Sequence, residues 1–103
     1  MAFLLERVMP EGITLEFLDA VSEEMGIRQD PSPGLIVYLH FREHGRVRII
    51  EVWESEWDFK RYATERLLPA MERTAERLDI KLDGTQPETK VTEVGPVIRG
   101  RQG

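Results

Sequence analysis

Tyr38, His40 and Glu51 are the residues whose types and spacing could carry a reaction. Tyr38 and His40 stand two apart in a segment of strand composition, so their side chains emerge on one face. If that strand folds back through His44-Gly45 with Arg42 opposite Val47, Tyr38 lies across from Glu51 and His40 across from Ile49. An imidazole that titrates near neutrality, a carboxylate to orient it and a phenol to donate a hydrogen bond suffice for proton transfer. The same residues can also form a polar network that satisfies only itself, which is common for a lone histidine beside a glutamate. His44 belongs to the turn and faces solvent. At four-residue spacing across a strand end it does not converge with His40, so no metal site is expected.

A second group, Trp53, Trp57, Phe59 and Tyr62, gathers where a strand gives way to a helix. These aromatics could line a slot between that helix and the sheet for a flat apolar ligand, or could simply be core. There is no glycine-rich phosphate loop and no G-x-S-x-G elbow, which disfavours nucleotide binding and serine hydrolysis.

The elements that must position both groups follow from pattern. Ala2 to Met9 reads as a strand closed by Pro10, Glu11 and Gly12. Thr14 caps a helix to about Met25, with Leu15, Leu18 and Val21 at helical spacing and Gly26 as its stop. Arg28 to Gly34, with Pro31 and Pro33, is a loop. Leu35 to Arg42 and Val47 to Glu54 form a hairpin, after which Ser55 and Asp58 read as a capping-box-like start to a long helix. Phe59, Ala63, Leu67, Met71, Ala75 and Leu78 make its apolar stripe, and Pro69 demands a kink or break near Glu65 to Pro69. Arg61, Glu65, Arg66, Glu72, Arg73, Glu76 and Arg77 read as its solvated face. Thr89 to Arg99 is a last strand, held to an edge by Pro96. The order βαββαβ specifies an α+β, ferredoxin-like domain spanning residues 1–103, with a four-stranded antiparallel sheet and both helices on one face.

Composition narrows the partners. With 103 residues, 41% hydrophobic and 32% charged, the chain suits one soluble core. A net charge of −5 argues against nucleic acid or an anionic membrane as the main partner. The absence of cysteine removes disulfides, thiolate nucleophiles and cysteine-ligated zinc. Met1 to Gly12 lacks a signal-peptide layout and no apolar run reaches the roughly 20 residues of a membrane span, so a cytoplasmic location is expected.

Two helices can cover only one side of a sheet, yet both faces of the hairpin are apolar. One carries Leu35, Val37, Leu39, Phe41, Ile50 and Val52; the other mixes Ile36, Ile49 and Trp53 with Tyr38, His40 and Glu51. The expectation is that Trp53, Ile36 and Ile49 belong to the face the helices leave open. Leaving them in water would forgo several kcal/mol, at about 25 cal/mol per Å² of apolar surface. A two-fold homodimer, sheet against sheet, would cover them.

Val52-Trp53-Glu54-Ser55, Phe59, Tyr62 and Arg66-Leu67-Leu68-Pro69-Ala70 together resemble the strand–helix junction of small bacterial proteins in the dimeric α+β barrel superfamily, of which the antibiotic biosynthesis monooxygenase family is a branch. The resemblance implies a dimeric α+β barrel with a pocket, in a superfamily that includes cofactor-free oxygenases of aromatic polyketides, haem-degrading enzymes and lactone isomerases. The Asn, Trp and His set of the haem-degrading members has no convincing match in this sequence.

The functional expectation is therefore a homodimer with a pocket for an apolar or aromatic small molecule, working without a cofactor as a monooxygenase or isomerase. His40 or Glu51 would remove a proton from a phenol or enol, Tyr38 would steady the oxyanion, and Trp53, Trp57, Phe59 and Tyr62 would hold the ring. The rival reading is a non-catalytic binding or interaction module, and a third is an auxiliary domain that hands ligands to a partner enzyme.

Overall fold

The strand–helix junction sets the frame. In the computed structural model, which describes residues 1–101, β1 (Ala2–Val8), α1 (Leu15–Met25), β2 (Leu35–Glu43) and β3 (Arg46–Trp53) lead into Ser55. Ser55 Oγ accepts from the Asp58 N–H at 3.1 Å and donates to Asp58 Oδ2 at 2.9 Å, closing the start of α2 (Glu56–Tyr62). Thr14 Oγ1 opens α1 by accepting from the Phe17 N–H at 3.0 Å, and Gly26 ends it in the left-handed region at φ 67. The hairpin turn puts His44 and Gly45 at φ 52 and 76, the left-handed pair that suits the twist of the flanking strands.

The four strands, completed by β4 (Glu88–Val94), are all antiparallel in the order β2-β3-β1-β4, which is the ferredoxin-like βαββαβ arrangement. β4 stops short of the expected Arg99. Pro96 has no N–H for the ladder, and pairing with β1 ends at Val94.

Register follows the expected hairpin through Tyr38 opposite Glu51 and Val37 opposite Val52, then departs from it. A bulge puts Leu35, not Ile36, opposite Trp53, so Ile36 is the unpaired extra residue and Leu35 turns to the side of Trp53. The covered and open faces are also exchanged relative to expectation. Trp53, Glu51 and Ile49, with Leu5 and Arg7 beside them on β1, are buried beneath the helices. Leu4, Ile50 and Val52 face the other way with Val37, 39% exposed, and Leu39, 42% exposed. The mixed face wins the helices because the single β1 strand that borders β3 brings Phe3, Leu5 and Arg7 to that side.

Pro69 is accommodated by a π turn, Ala63–Leu67, which joins α2 to α3 (Leu68–Arg77). The Leu68 N–H reaches back five residues to the Ala63 carbonyl, which widens the helix where Pro69 has no N–H to offer. The buried positions consequently step by five, from Tyr62 to Leu67, before Ala70 and Thr74 resume helical spacing. Small residues Ala70 and Ala75 let α3 lie close to the Phe17, Leu18 and Val21 face of α1. Leu78, expected on the stripe, lies beyond α3 and is exposed.

Arg66 is not part of a solvated face. Its guanidinium donates to the Met25 carbonyl at 2.7 Å, the Asp30 carbonyl at 2.7 Å and Ser32 Oγ at 3.0 Å, fastening the π turn to the end of α1. Gly34 is equally constrained: φ is +84 and a Cβ there would collide with the Asp58 carboxylate that closes the α2 cap. Gly34→Ala should therefore cost about 2–3 kcal/mol, the sum of backbone strain and a disturbed cap. Gly26→Ala, with open space around it, should cost only about 1 kcal/mol. Urea unfolding of both variants measures the difference.

Candidate functional site

Two recesses flank the helical layer, and the expected site residues divide between them. The first lies under the π turn. It encloses about 510 Å³ between the β1 side of the sheet, the helices and the segment that follows α3. Its inner wall is Met9, Ile13, Phe59, Ala63, Leu67 and Met71, while the exposed Glu72, Lys81 and Asp83 stand at its rim. Arg7 contributes the one buried charge of the lining, with 7% exposure.

Arg7 is fixed from two directions. Its Nη2 donates to Glu51 Oε1, and its guanidinium carbon lies 5.4 Å from the centre of the Phe59 ring. Its Nε is buried without a hydrogen-bond partner among the described residues. Glu51 has 0% exposure; burial pushes its carboxyl above the ordinary range, and the Arg7 charge offsets only part of that shift. Trp53 and Tyr62 pack at 4.9 Å between ring centres and Trp53 meets Phe59 edge-on at 5.9 Å. Tyr62 is buried, and desolvation followed by the nearby Glu51 drives its phenol far above its usual value.

The aromatic group is thus largely core. Phe59 lines the cavity, whereas Trp53 and Tyr62 lie behind it, and Trp57 is 69% exposed, apart from the other three. Tyr38 and His40 face the second recess, between α1 and β2, where His40 bonds both Tyr38 and Asp19. Tyr38 is raised to about 12 by burial and by Glu51. His40 and Tyr38 therefore share a recess with each other, and Glu51 shares its surroundings with Arg7.

Arg7 and Asp19 were not among the sequence candidates. Arg7 was visible as the one charged residue in register with Phe3 and Leu5 on an otherwise apolar strand face. Asp19 had a weaker signal, since it sits beside Leu18 on α1 and becomes a partner of His40 only through packing.

No protein-family model matches this chain, and no curated protein matches it by sequence. Its structure is similar to SnoaB, a cofactor-independent oxygenase from Streptomyces nogalater, at 18% identity over 94% of this chain and 95% of that one, with a TM-score of 0.57. A variant of MhuD with two manganese protoporphyrin IX molecules bound per active site matches at 20% identity over 97% and 100%, TM-score 0.63. A Caulobacter crescentus protein assigned as an antibiotic biosynthesis monooxygenase matches at 14% identity over 92% and 90%, TM-score 0.61. At these identities the likeness shows the fold alone: the chain has the ferredoxin-like βαββαβ fold of these antibiotic biosynthesis monooxygenase-like structures. Among the described residues no helix is long and apolar enough to cross a membrane.

A haem held by an axial imidazole does not fit the cavity under the π turn. His40 lines the other recess, His44 sits in the hairpin turn, and the only soft donors in the cavity lining are the thioethers of Met9 and Met71.

The Arg7–Glu51 pair has a measurable signature. Removing one partner strands a buried charge, so Arg7→Met alone should cost about 3–5 kcal/mol, while Arg7→Met with Glu51→Leu should be neutral or stabilising by about 1–4 kcal/mol. Glu51's raised pKa means the folded chain holds a proton that the unfolded carboxyl has lost, a contribution present at low pH and lost as pH rises through the folded value. The advantage of the double variant should accordingly grow with rising pH in urea unfolding.

Proposed function

We propose that this protein is a cytoplasmic homodimer that binds a flat apolar or aromatic phenol or enol in the cavity under the π turn, and acts on it without a cofactor as a monooxygenase or isomerase. The observation that carries this reading is a single buried cation, Arg7, in the floor of an apolar chamber of about 510 Å³. That volume lies in the range of ligand pockets. SnoaB, a cofactor-independent oxygenase, shares the fold, which accords with the reading.

In this proposal the ligand oxygen accepts from the Arg7 guanidinium, whose unpartnered Nε–H, without accessible surface in the empty cavity, is uncovered by a shift of the side chain as the ligand enters. The guanidinium stabilises the phenolate or enolate that forms when a proton leaves. Glu51, whose proton affinity burial has raised, takes up a proton as the new anion comes to share Arg7, so the charge of the group is conserved. The carbanion form then either reacts with oxygen, converting CH2 and O2 into C=O and H2O with the substrate as sole reductant, or regains its proton at another carbon. His40 and Tyr38 are the second acid–base pair of the proposal, in the neighbouring recess. Phe59 is the ring-holding wall, with Trp53 and Tyr62 behind it, and Trp57 stands outside the ligand site.

Dimerisation is proposed through the open sheet face, where Leu4, Val37, Leu39, Phe41, Ile50 and Val52 form a continuous apolar layer. Covering it with a second copy of the same layer gives a self-complementary two-fold contact. The absence of cysteine accords with a reducing compartment.

Dithranol, a flat hydroxyanthrone, tests the chemistry. It should raise the melting temperature by several degrees, and oxygen should be consumed mole for mole with quinone formed, with both effects reduced at least about tenfold in Arg7→Lys. Binding without oxygen uptake would make the protein a binding module instead; neither effect would overturn the reading. For the assembly, light scattering should give twice the 12.0 kDa of one chain, and Ile50→Glu should return the mass to that of a single chain.

A further inference from the structure

The recess between α1 and β2 is larger than the cavity under the π turn, at about 820 Å³, and it holds its own ordered chain of side chains. Asp19 Oδ1 lies 2.7 Å from His40 Nε2, and His40 Nδ1 lies 3.1 Å from the Tyr38 hydroxyl. Asp19 is exposed and His40 is largely buried, so the chain runs inward from solvent. Ile27 and Leu35, both packed against the core, give the recess an apolar wall.

Hydrogen-bond direction in this chain is decided by chemistry. The ionised Asp19 carboxylate only accepts, so Nε2 carries a hydrogen in either protonation state. In the neutral imidazole Nδ1 is therefore bare, and the Tyr38 O–H donates to it. When His40 gains a proton, Nδ1–H donates to the Tyr38 oxygen instead, and the phenolic hydrogen must turn to another acceptor. Burial raises Tyr38 to about 12, so its hydroxyl retains that hydrogen throughout.

We propose that the α1–β2 recess is a second binding site, for an uncharged carbonyl compound with a flat apolar body, whose oxygen accepts from the Tyr38 O–H when His40 is protonated. The charged and titratable groups around His40 and Tyr38 are Asp19 and Glu23 from α1, Arg28 from the loop that follows, Glu51 from β3 and Arg7 from β1. Asp19 and Glu23 on the recess wall disfavour an anionic occupant, which is why a neutral carbonyl is assigned. Asp19 is then a positioning residue: it fixes the His40 tautomer and so sets which way the Tyr38 hydroxyl points. The recess shares no lining residue with the Arg7 cavity, so a ligand held here need not touch Arg7.

Indanone is a suitable probe because its carbonyl does not titrate. Amide-resolved NMR titration should place its contacts on α1 and β2, with affinity about tenfold tighter at about pH 5 than at about pH 9. Tyr38→Phe, which keeps the ring, should lose that tighter binding. His40→Gln should bind equally at both pH values, and Asp19→Asn should shrink the pH effect. A dispersed amide spectrum confirms that each variant is folded. Contacts confined to Phe59 and Met71, equal affinity at the two pH values, or undiminished binding by Tyr38→Phe would each overturn the proposal.

Discussion

A guanidinium and a carboxylate taken out of water beneath the helices constrain everything else in this molecule. Arg7 and Glu51 come from adjacent strands, β1 and β3, and each would be an uncompensated buried charge without the other. The pair therefore locks the two central strands in register and holds the guanidinium at a set height over the Phe59 ring. An apolar core of the same volume would serve stability at least as well. Retaining the pair leaves a rigid donor in the floor of an apolar chamber, in low-dielectric surroundings where a fixed dipole or charge acts strongly on developing negative charge.

The chamber itself depends on how the chain answers Pro69. A regular helix would keep the Phe59, Ala63, Leu67 and Met71 stripe flush with the sheet. The π turn instead inserts a five-residue step between the buried Tyr62 and Leu67, so Tyr62 lies in the core while Ala63, Leu67 and Met71 border the cavity with Phe59. Arg66 holds this irregular turn in place by capping the end of α1 and the Asp30–Ser32 loop. Packing, kink and cavity are thus parts of one arrangement. Tyr38 and His40 lie on the far side of it, where α1 meets β2.

Much of this frame was legible in the residues. Local chemistry placed the caps at Thr14 and Ser55, the stop at Gly26, the His44-Gly45 turn, the Arg42 to Val47 register and the disruption before Pro69. What failed depends on non-local packing. The bulge at Ile36 has no local marker, because a strand of alternating apolar residues reads equally well in two registers. The covered face is not legible because the nearly all-apolar face of Leu35, Val37, Leu39, Phe41, Ile50 and Val52 reads as the one the helices bury, and only Arg7 on β1 makes Glu51 compatible with burial beneath them. Trp57 looked like a member of the aromatic group by proximity in sequence, yet α2 turns it outward. Arg66 looked like one more surface charge because its acceptors are 34 to 41 residues away.

Both layers of apolar side chains on the sheet are accounted for by two different partners: helices over Trp53, Ile49 and Leu5, and in our reading a second copy over Val37, Leu39 and Ile50. The ligand chemistry rests on the covered side, on one N–H. Nitrogen-edited NMR of the Arg7 Nε–H, recorded with and without dithranol, reads that atom directly. A slowly exchanging signal that moves downfield as the ligand saturates is the expected result. A ligand that binds while that signal stays where it was would contradict the central role given to Arg7.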